Sequence, residues 1–314
     1  MQELTIPDIN KYLRLIILPT EQCNFRCFYC YEDFQHGNMS FENINAIKKL
    51  LESRAPDLET LCISWFGGEP LIATNIVIDI SSYALKLSEK YNFKFISDIT
   101  TNGYSLTPKI FDDLCKVGVH TYQISLDGPK VIHNKTRILC NGEETFDTIW
   151  NNLINIHNST KNVSVILRLH IDEDKILHIE ELINDIKKDF EGDNRFKIFL
   201  KNISRLGGKN DKNLKVVNKE DLDNLINNLY ESVSSKQVYI NNSSICYAAS
   251  PITWVIRATG DICKCTVGLK DSKNIVGKLN LDGTLDIDNL KLQPWFKGII
   301  NESEIILKCP YKYI

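Results

Sequence analysis

Three cysteines lie within eight residues of one another near the amino terminus, at Cys23, Cys27 and Cys30. Thiolates select zinc or iron–sulfur clusters as their metals. A structural zinc ion takes four protein ligands, and His36 is the nearest candidate for a fourth. Three cysteines suit a 4Fe–4S cluster that keeps one iron open, which serves an enzyme better than an electron carrier. The spacing therefore favours a cluster, with zinc or unrelated buried thiols as the alternatives.

A second motif, Gly67, Gly68, Glu69 and Pro70, follows an apolar segment at 58–66. Glycine lets the backbone approach a ligand closely. Backbone carbonyls and the Glu69 carboxylate accept hydrogen bonds from an ammonium group. The motif therefore predicts a binding loop, and a plain turn is the alternative.

Strands and helices that position these residues alternate along the first two-thirds of the chain. Apolar runs predict strands at 12–18, 58–66, 93–99, 122–126, 163–171 and 196–203. Helical spacing predicts helices after Ser40, over 76–87, from Pro108 to Gly118, and over 146–156, 176–183 and 222–230. Six strand–helix units predict an α/β fold with a parallel sheet, as a partial barrel or an open wound sheet. Ligands gather at the carboxyl ends of such strands, where both motifs fall.

The cysteine motif, with Gly-Gly-Glu-Pro one strand later, resembles the radical S-adenosylmethionine (SAM) superfamily. The resemblance implies a partial (β/α)6 TIM-like barrel over residues 1–235. It also implies that Cys23, Cys27 and Cys30 hold a 4Fe–4S cluster whose open iron chelates SAM. One electron from the cluster then cleaves SAM, and the 5′-deoxyadenosyl radical abstracts hydrogen from a substrate. Tyr29 is expected to lie against the adenine.

The same resemblance implies further contacts to SAM along the strand ends. Hydroxyl and amide groups there suit the ribose or methionyl group, and a guanidinium pairs strongly with a shielded carboxylate, which suits Arg168. The alternatives are helix caps for Thr101 and Ser125 and a surface ion pair for Arg168. The expected SAM contacts are Gly67, Gly68, Glu69, Pro70, Thr101, Asn102, Ser125 and Arg168.

A second set of cysteines follows a change of pattern near residue 235, where helical periodicity fades. Thirteen residues separate Cys246 from Gly260, and four more separate Gly260 from Cys265. This spacing resembles the SPASM extension, which binds auxiliary 4Fe–4S clusters, so residues 236–314 are expected to form a SPASM- or twitch-like domain. Cys246, Cys265 and Cys309 can bind at most part of one auxiliary cluster, and Cys263 is the candidate to complete the set. The region looks shortened relative to a full SPASM domain, and loose thiols or a zinc site are the alternatives.

The remaining cysteines have simpler interpretations. Cys62 and Cys115 fall on apolar faces and are expected in the core. Cys140 lies in a polar loop, where a radical enzyme can use a thiol as a hydrogen donor; an incidental position is the alternative.

Composition limits the classes of function. A net charge of -3 over 314 residues gives no basic stripe for nucleic acid. The chain contains no apolar run of about 18 residues, the length needed to span a membrane. Its first eleven residues lack a signal-peptide pattern. We therefore expect a cytoplasmic protein with no nucleic-acid or membrane partner.

The segment from Gln123 to Lys130, with His133 and Arg137, resembles the SPASM-type peptide maturases. This resemblance implies a ribosomally made peptide substrate that receives a thioether or carbon–carbon cross-link or an epimerised residue. A sulfatase-type maturase that forms formylglycine is the alternative, with Asp127 or Asp172 as its base. A non-catalytic iron–sulfur or zinc protein that binds peptide is the alternative of another class.

The resemblance also implies partners. A flavodoxin or ferredoxin is expected to supply electrons. The chain before Tyr12 is too short for a leader-recognition domain, so a separate protein or the barrel itself is expected to recognise the substrate.

Overall fold

One ten-stranded sheet runs through the residues that this computed structural model describes, which are 8–232 and 245–314. Its first six strands are parallel, and each pairs with the next along the chain. They are β1 (Tyr12–Ile17), β2 (Thr60–Trp65), β3 (Lys94–Thr101), β4 (Val119–Leu126), β5 (Ser164–Ile171) and β6 (Phe196–Asn202). The predicted α/β fold with a parallel sheet is confirmed.

Helices connect these strands, and those that have an apolar face bury it in the main hydrophobic core. The helices of this part are α1 (Phe41–Arg54), α2 (Thr74–Tyr91), α3 (Pro108–Lys116), α4 (Lys130–Thr136), α5 (Phe146–His157), α6 (Ile179–Phe190) and α7 (Lys219–Ser232). The Ser40 hydroxyl caps α1 by accepting from Asn43 N at 3.3 Å. Gly118, with φ of 86°, follows the end of α3 in a conformation that glycine adopts without strain.

Two local details differ from the sequence prediction. Helix α4 was not predicted, because it buries only His133 and shows no apolar face. Ile176 belongs to a 3₁₀ turn, Lys175–His178, and α6 begins after it at Ile179.

Four further strands continue the same sheet beyond β1. Strand β7 (Thr253–Ile256) pairs in parallel with β1, with Arg14 opposite Thr253. Antiparallel pairing then adds β8 (Asp261–Cys263), β9 (Ile275–Leu279) and β10 (Leu285–Ile287). Three short helices follow, α8 (Asn289–Leu292), α9 (Lys297–Ile300) and α10 (Glu304–Lys308). The domain boundary predicted at residue 235 lies outside the described residues.

One helical segment, Pro70–Tyr91, is long and apolar enough to cross a membrane by length and composition alone. Half of it is buried inside the structure. Its residues Ile76, Val77 and Ile80 belong to the core beside the sheet, and Ser81 accepts a hydrogen bond from the Trp65 indole at 3.2 Å. Packing as a core helix accounts for this apolar composition.

Candidate cluster and cofactor site

The cysteine loop lies at the carboxyl end of β1, and the segment that follows α4 holds it in place. Backbone hydrogen bonds run from Arg26 N to Ile138 O (2.9 Å), from Phe28 N to Thr136 O (2.9 Å) and from Cys140 N to Asn24 O (2.8 Å). The Cys140 side chain is exposed beside this loop. The loop is thus fixed by main-chain pairing rather than by its thiols.

The three thiols of the loop are partly buried and free of disulfides. Phe25 N donates to Cys23 Sγ at 3.3 Å, a contact of the kind that tunes cluster sulfurs. Burial raises the pKa of each thiol, that of Cys30 to about 12. Bound iron would stabilise the thiolate forms that burial disfavours.

Zinc is disfavoured by the same geometry. Within 8–232 and 245–314, no three His, Cys, Asp or Glu side chains converge on a position for a single ion. In a cluster each thiolate binds a different iron, so the three sulfurs need not converge on one point. The Cys23–Cys30 loop therefore fits a cluster, and nothing in this geometry supports His36 as a fourth zinc ligand.

The glycines of the second motif lie against the backbone that leads into the cysteine loop. A Cβ at Gly67, where φ is 117°, would lie 2.3 Å from Thr20 O. A Cβ at Gly68 would lie 2.3 Å from Gln22 O, and Glu69 N donates to that same oxygen at 2.9 Å. The close approach that requires glycine is thus to the chain before Cys23, where we had expected an approach to a ligand.

Glu69 is buried, and its carboxylate joins two strand ends. It accepts from Leu71 N (2.9 Å) at the start of a 3₁₀ turn that begins at Pro70. It also accepts from Thr101 Oγ1 (2.7 Å) and from Asn102 N (2.6 Å) at the end of β3. Burial raises the pKa of Glu69, and these three donors oppose that effect. A carboxylate offers about four acceptor positions, so one stays available to a ligand.

Ser125 and Arg168 lie opposite each other in the pairing of β4 with β5. The Asn102 amide donates to Asn24 Oδ1 in the cysteine loop at 2.8 Å, which joins β3 to that loop. Arg168 Nε is buried without a hydrogen-bond partner among the described residues, and burial lowers the pKa of the guanidinium. The alternative of a surface ion pair for Arg168 is therefore wrong. The alternative of helix caps is also wrong, because Thr101 and Ser125 lie within strands.

Tyr29 sits in a buried polar network. Its hydroxyl accepts from Arg137 Nη1 at 2.7 Å and donates to Asp127 Oδ1 at 2.8 Å. His170 Nδ1 lies 3.0 Å from the same hydroxyl and 3.3 Å from Asp127. Lys175 Nζ lies 4.0 Å from the other Asp127 oxygen. Charge and hydrogen bonds thus meet at the aromatic residue that precedes Cys30.

Asp127 is fully buried within this network. Burial raises its pKa, but the hydrogen bond from His170 and the charges of Arg137 and Lys175 outweigh it, and the net pKa is well below the usual range. Thr136 Oγ1 also donates to it at 2.7 Å. A carboxylate held so firmly in its charged form is a weak base, which favours a positioning role over the base role considered for it. Asp172, the other candidate base, is paired with Lys175.

The second set of cysteines divides into a group and an outlier. Cys246, Cys265 and Cys309 lie near one another: after the larger effect of burial, Cys265 and Cys309 raise the pKa of Cys246, and Cys309 raises that of Cys265. Val267 N donates to Cys265 Sγ at 3.4 Å. Cys263 packs instead in a separate apolar cluster with Ile16 and Leu18.

The model of the radical SAM superfamily matches residues 17–186, more than half of the chain. This chain belongs to the radical SAM superfamily. Its family uses a 4Fe–4S cluster and SAM, which confirms the cofactors expected from the cysteine loop.

The matches to curated relatives of this radical SAM protein cover only part of each relative's length. A cysteine-type anaerobic sulfatase-maturating enzyme of Clostridium novyi is 28% identical over 231 residues, covering 70% of this chain and 59% of that protein. A GTP 3′,8-cyclase of Haemophilus influenzae is 33% identical over 132 residues, covering 40% of this chain and 36% of that protein. The chain thus spans less than two-thirds of the length of each of these relatives.

Solved structures share the fold. Native anSMEcpe with bound AdoMet and the Cp18Cys peptide superposes with a TM-score of 0.70 at 19% identity, covering 95% of this chain and 88% of that one. Streptococcus suis SuiB bound to precursor peptide SuiA gives 0.63 at 17% identity, covering 92% and 67%.

Several residues of this radical SAM site were not predicted as site residues from the sequence. Arg137, His170 and Lys175 surround Tyr29 and Asp127 although they lie far apart in the chain. One signal was available for His170. It follows Arg168 by two residues on β5, and side chains at that spacing point to the same face of a strand.

Proposed function

We propose that this chain is a radical SAM enzyme that modifies a ribosomally made peptide, by a thioether or carbon–carbon cross-link or by epimerisation. The observation that carries the proposal is Arg168 on β5, opposite Ser125, whose Nε is buried without a hydrogen-bond partner among the described residues. A buried cation without an anion is costly, so this position suits the carboxylate of SAM. Structures with bound peptides share the fold, which supports a peptide substrate.

Cys23, Cys27 and Cys30 would hold the cluster, and Arg168 with Ser125 would orient SAM beside it. When bound, the reduced cluster supplies the electron that cleaves SAM to the hydrogen-abstracting 5′-deoxyadenosyl radical. Glu69 would hold the segment before Cys23 against the end of β3, through its backbone N–H and its carboxylate. Tyr29, the residue proposed to lie against adenine, is oriented by Arg137 and Asp127.

A first experiment tests the SAM site. Arg168→Lys keeps the charge but loses the planar fork that pairs with a carboxylate. We expect anaerobically reconstituted Arg168→Lys to bind SAM about tenfold more weakly, with unchanged iron content. Arg205→Lys is the matched control, since Arg205 is exposed and bonds only to backbone carbonyls of Asp211 and Leu214. Equal SAM affinity in both variants would remove the main support for this site.

A second experiment tests the reaction. Candidate precursor peptides encoded beside the gene are incubated with the enzyme, SAM and reductant, and analysed by mass spectrometry. A cross-link appears as the loss of a hydrogen pair, and epimerisation in heavy water as deuterium incorporation without other change. Cys140→Ala is expected to stop deuterium incorporation but not SAM cleavage if Cys140 is the hydrogen donor. SAM cleavage without modification of any peptide would contradict a peptide substrate.

Formylglycine formation is the second candidate, because the relative from Clostridium novyi is a sulfatase-maturating enzyme. It predicts replacement of a cysteine thiol by an aldehyde in the same assay. Asp127 and Asp172 are both paired with basic neighbours, so neither carboxylate is free to act as the base for this reaction.

We further propose one auxiliary 4Fe–4S cluster at Cys246, Cys265 and Cys309. Combined alanine substitution of Cys23, Cys27 and Cys30 should leave about four irons per chain if it is present. Removing Cys263 should not lower that residual iron, since Cys263 packs in another cluster. Loss of all iron in the first variant would contradict an auxiliary cluster. The electron donor, a flavodoxin or ferredoxin, and a separate leader-recognition protein stay predictions.

A further inference from the structure

A cavity of about 260 Å³ is lined by residues that closely follow Cys30 and by residues that closely follow Cys265. One wall is Tyr31, Glu32 and Asp33, directly after Cys30. The facing wall is the loop 267–271, whose Val267 N donates to Cys265 Sγ at 3.4 Å. A group bound in this cavity would thus lie within reach of both cysteine loops.

The charges that line the cavity are predominantly acidic. Four carboxylates face two cations, which are Arg257 and Lys270. Arg257 is committed to Glu21, with N–O distances of 3.1 and 2.5 Å. Lys270 Nζ lies 3.5 Å from Asp33. Two carboxylates therefore lack a cation of their own.

These two carboxylates differ in their partners. Asp271 accepts from Lys273 N at 2.9 Å and from the Tyr311 hydroxyl at 3.2 Å. Glu32 Oε1 is buried and has no hydrogen-bond partner among the described residues. Leaving a buried carboxyl oxygen unpaired is costly, so Glu32 is the group in this cavity that a ligand would satisfy.

Size and geometry identify the class of ligand. A metal ion is disfavoured, because no three acidic, cysteine or histidine side chains of the described chain converge on one position. An anion is disfavoured by the excess of carboxylates. The volume is below the roughly 300 Å³ at which pockets for small molecules begin, which suits a side chain rather than a whole cofactor.

We propose that this cavity binds a lysine or arginine side chain of the substrate peptide, with Glu32 as the carboxylate that accepts from its cationic head. The inference rests on the proposed function and adds a sequence preference to it. A basic residue anchored here would place neighbouring substrate residues between the two cysteine groups.

The test uses anaerobically reconstituted protein and two probes that differ in charge, N-acetyl-arginine methylamide and N-acetyl-citrulline methylamide. Wild-type protein should bind the arginine probe at least about tenfold more tightly, since hydrogen bonds between charged groups exceed that difference. Glu32→Gln should remove the preference. Glu42→Gln, at an exposed position on α1, is the matched control and should retain it.

Equal binding of the two probes by wild-type protein would overturn the inference, and this comparison does not depend on folding of the variant. An unchanged preference in a folded, iron-loaded Glu32→Gln protein would also overturn it. Peptide modification is measured separately with precursors that carry lysine or norleucine. Equal modification of both contradicts the anchor but leaves the proposed function standing, whereas a charge preference without any modification retains the cavity and contradicts the function.

Discussion

The buried ion pair between Glu21 and Arg257 is expected to be a main link between the first and last parts of the sheet. Glu21 follows β1 and is 2% exposed, and Arg257 follows β7 and is 6% exposed. Arg257 donates to both carboxylate oxygens of Glu21 and to Leu269 O at 2.8 Å. Glu21→Gln keeps the shape of the side chain but removes its charge.

The expected loss of stability comes from the buried Arg257 charge that the substitution leaves without a partner. Breaking one partner of a buried pair costs about 3–5 kcal/mol, because the other charge is left uncompensated. At about 2–4 °C per kcal/mol for a protein of this size class, the melting temperature should fall by on the order of 10 °C. Replacing both residues with leucine removes the orphaned charge, so the double variant should be more stable than Glu21→Gln.

The assay is thermal melting of anaerobically reconstituted protein, followed by circular dichroism. Glu59→Gln is the control, since the Lys11–Glu59 pair is about half exposed and such surface pairs contribute little to stability. Melting of Glu21→Gln within about 2 °C of wild type would refute the expected cost of leaving the buried Arg257 charge uncompensated. A double variant less stable than the single variant would refute the charge argument specifically.

Two further predictions concern the glycine loop and pH. Gly68→Ala should lower iron content and SAM cleavage, because its Cβ would lie 2.3 Å from Gln22 O, whereas Gly37→Ala, with open space around its Cβ, should not. Burial lowers the pKa of His133 to about 3 and of His170 to about 4. Both stay neutral in the folded protein while the unfolded chain protonates below about pH 6.5, so stability is full above that pH and falls by roughly 1.4 kcal/mol per histidine per pH unit below it. The melting temperature of His133→Asn should therefore depend less on pH between about 7.5 and 5.5 than that of wild type; equal slopes would contradict this.

The sequence was sufficient for features that depend on local patterns. Strands β1 to β6 could be predicted because apolar runs of strand length alternate with helical spacing, and Ser40 and Gly118 mark helix ends by their own chemistry. The cysteine loop and the Gly-Gly-Glu-Pro loop could be placed at strand ends for the same reason. Their mutual contact follows from the parallel order of β1 and β2.

Features that depend on tertiary contacts could not be predicted. Glu21 and Arg257 are 236 positions apart, and no local pattern distinguishes either from a surface charge. The partners of Tyr29 directly follow β4 and α4 or lie on β5 and in the turn after it. Helix α4 has no apolar face, because its one buried side chain is His133, whose Nδ1 accepts from Asp127 N at 3.3 Å.

The pairing of β7 with β1 explains why Glu21 and Arg257 meet although they are far apart in the chain. Parallel strands that are neighbours present their carboxyl ends at the same edge of a sheet. Strand β1 leads at that edge into Glu21 and Cys23, and β7 leads into Arg257. The Glu21–Arg257 pair and the cavity beside Glu32 lie just beyond these two strand ends. A single parallel pairing between distant segments therefore brings together residues that line the cavity.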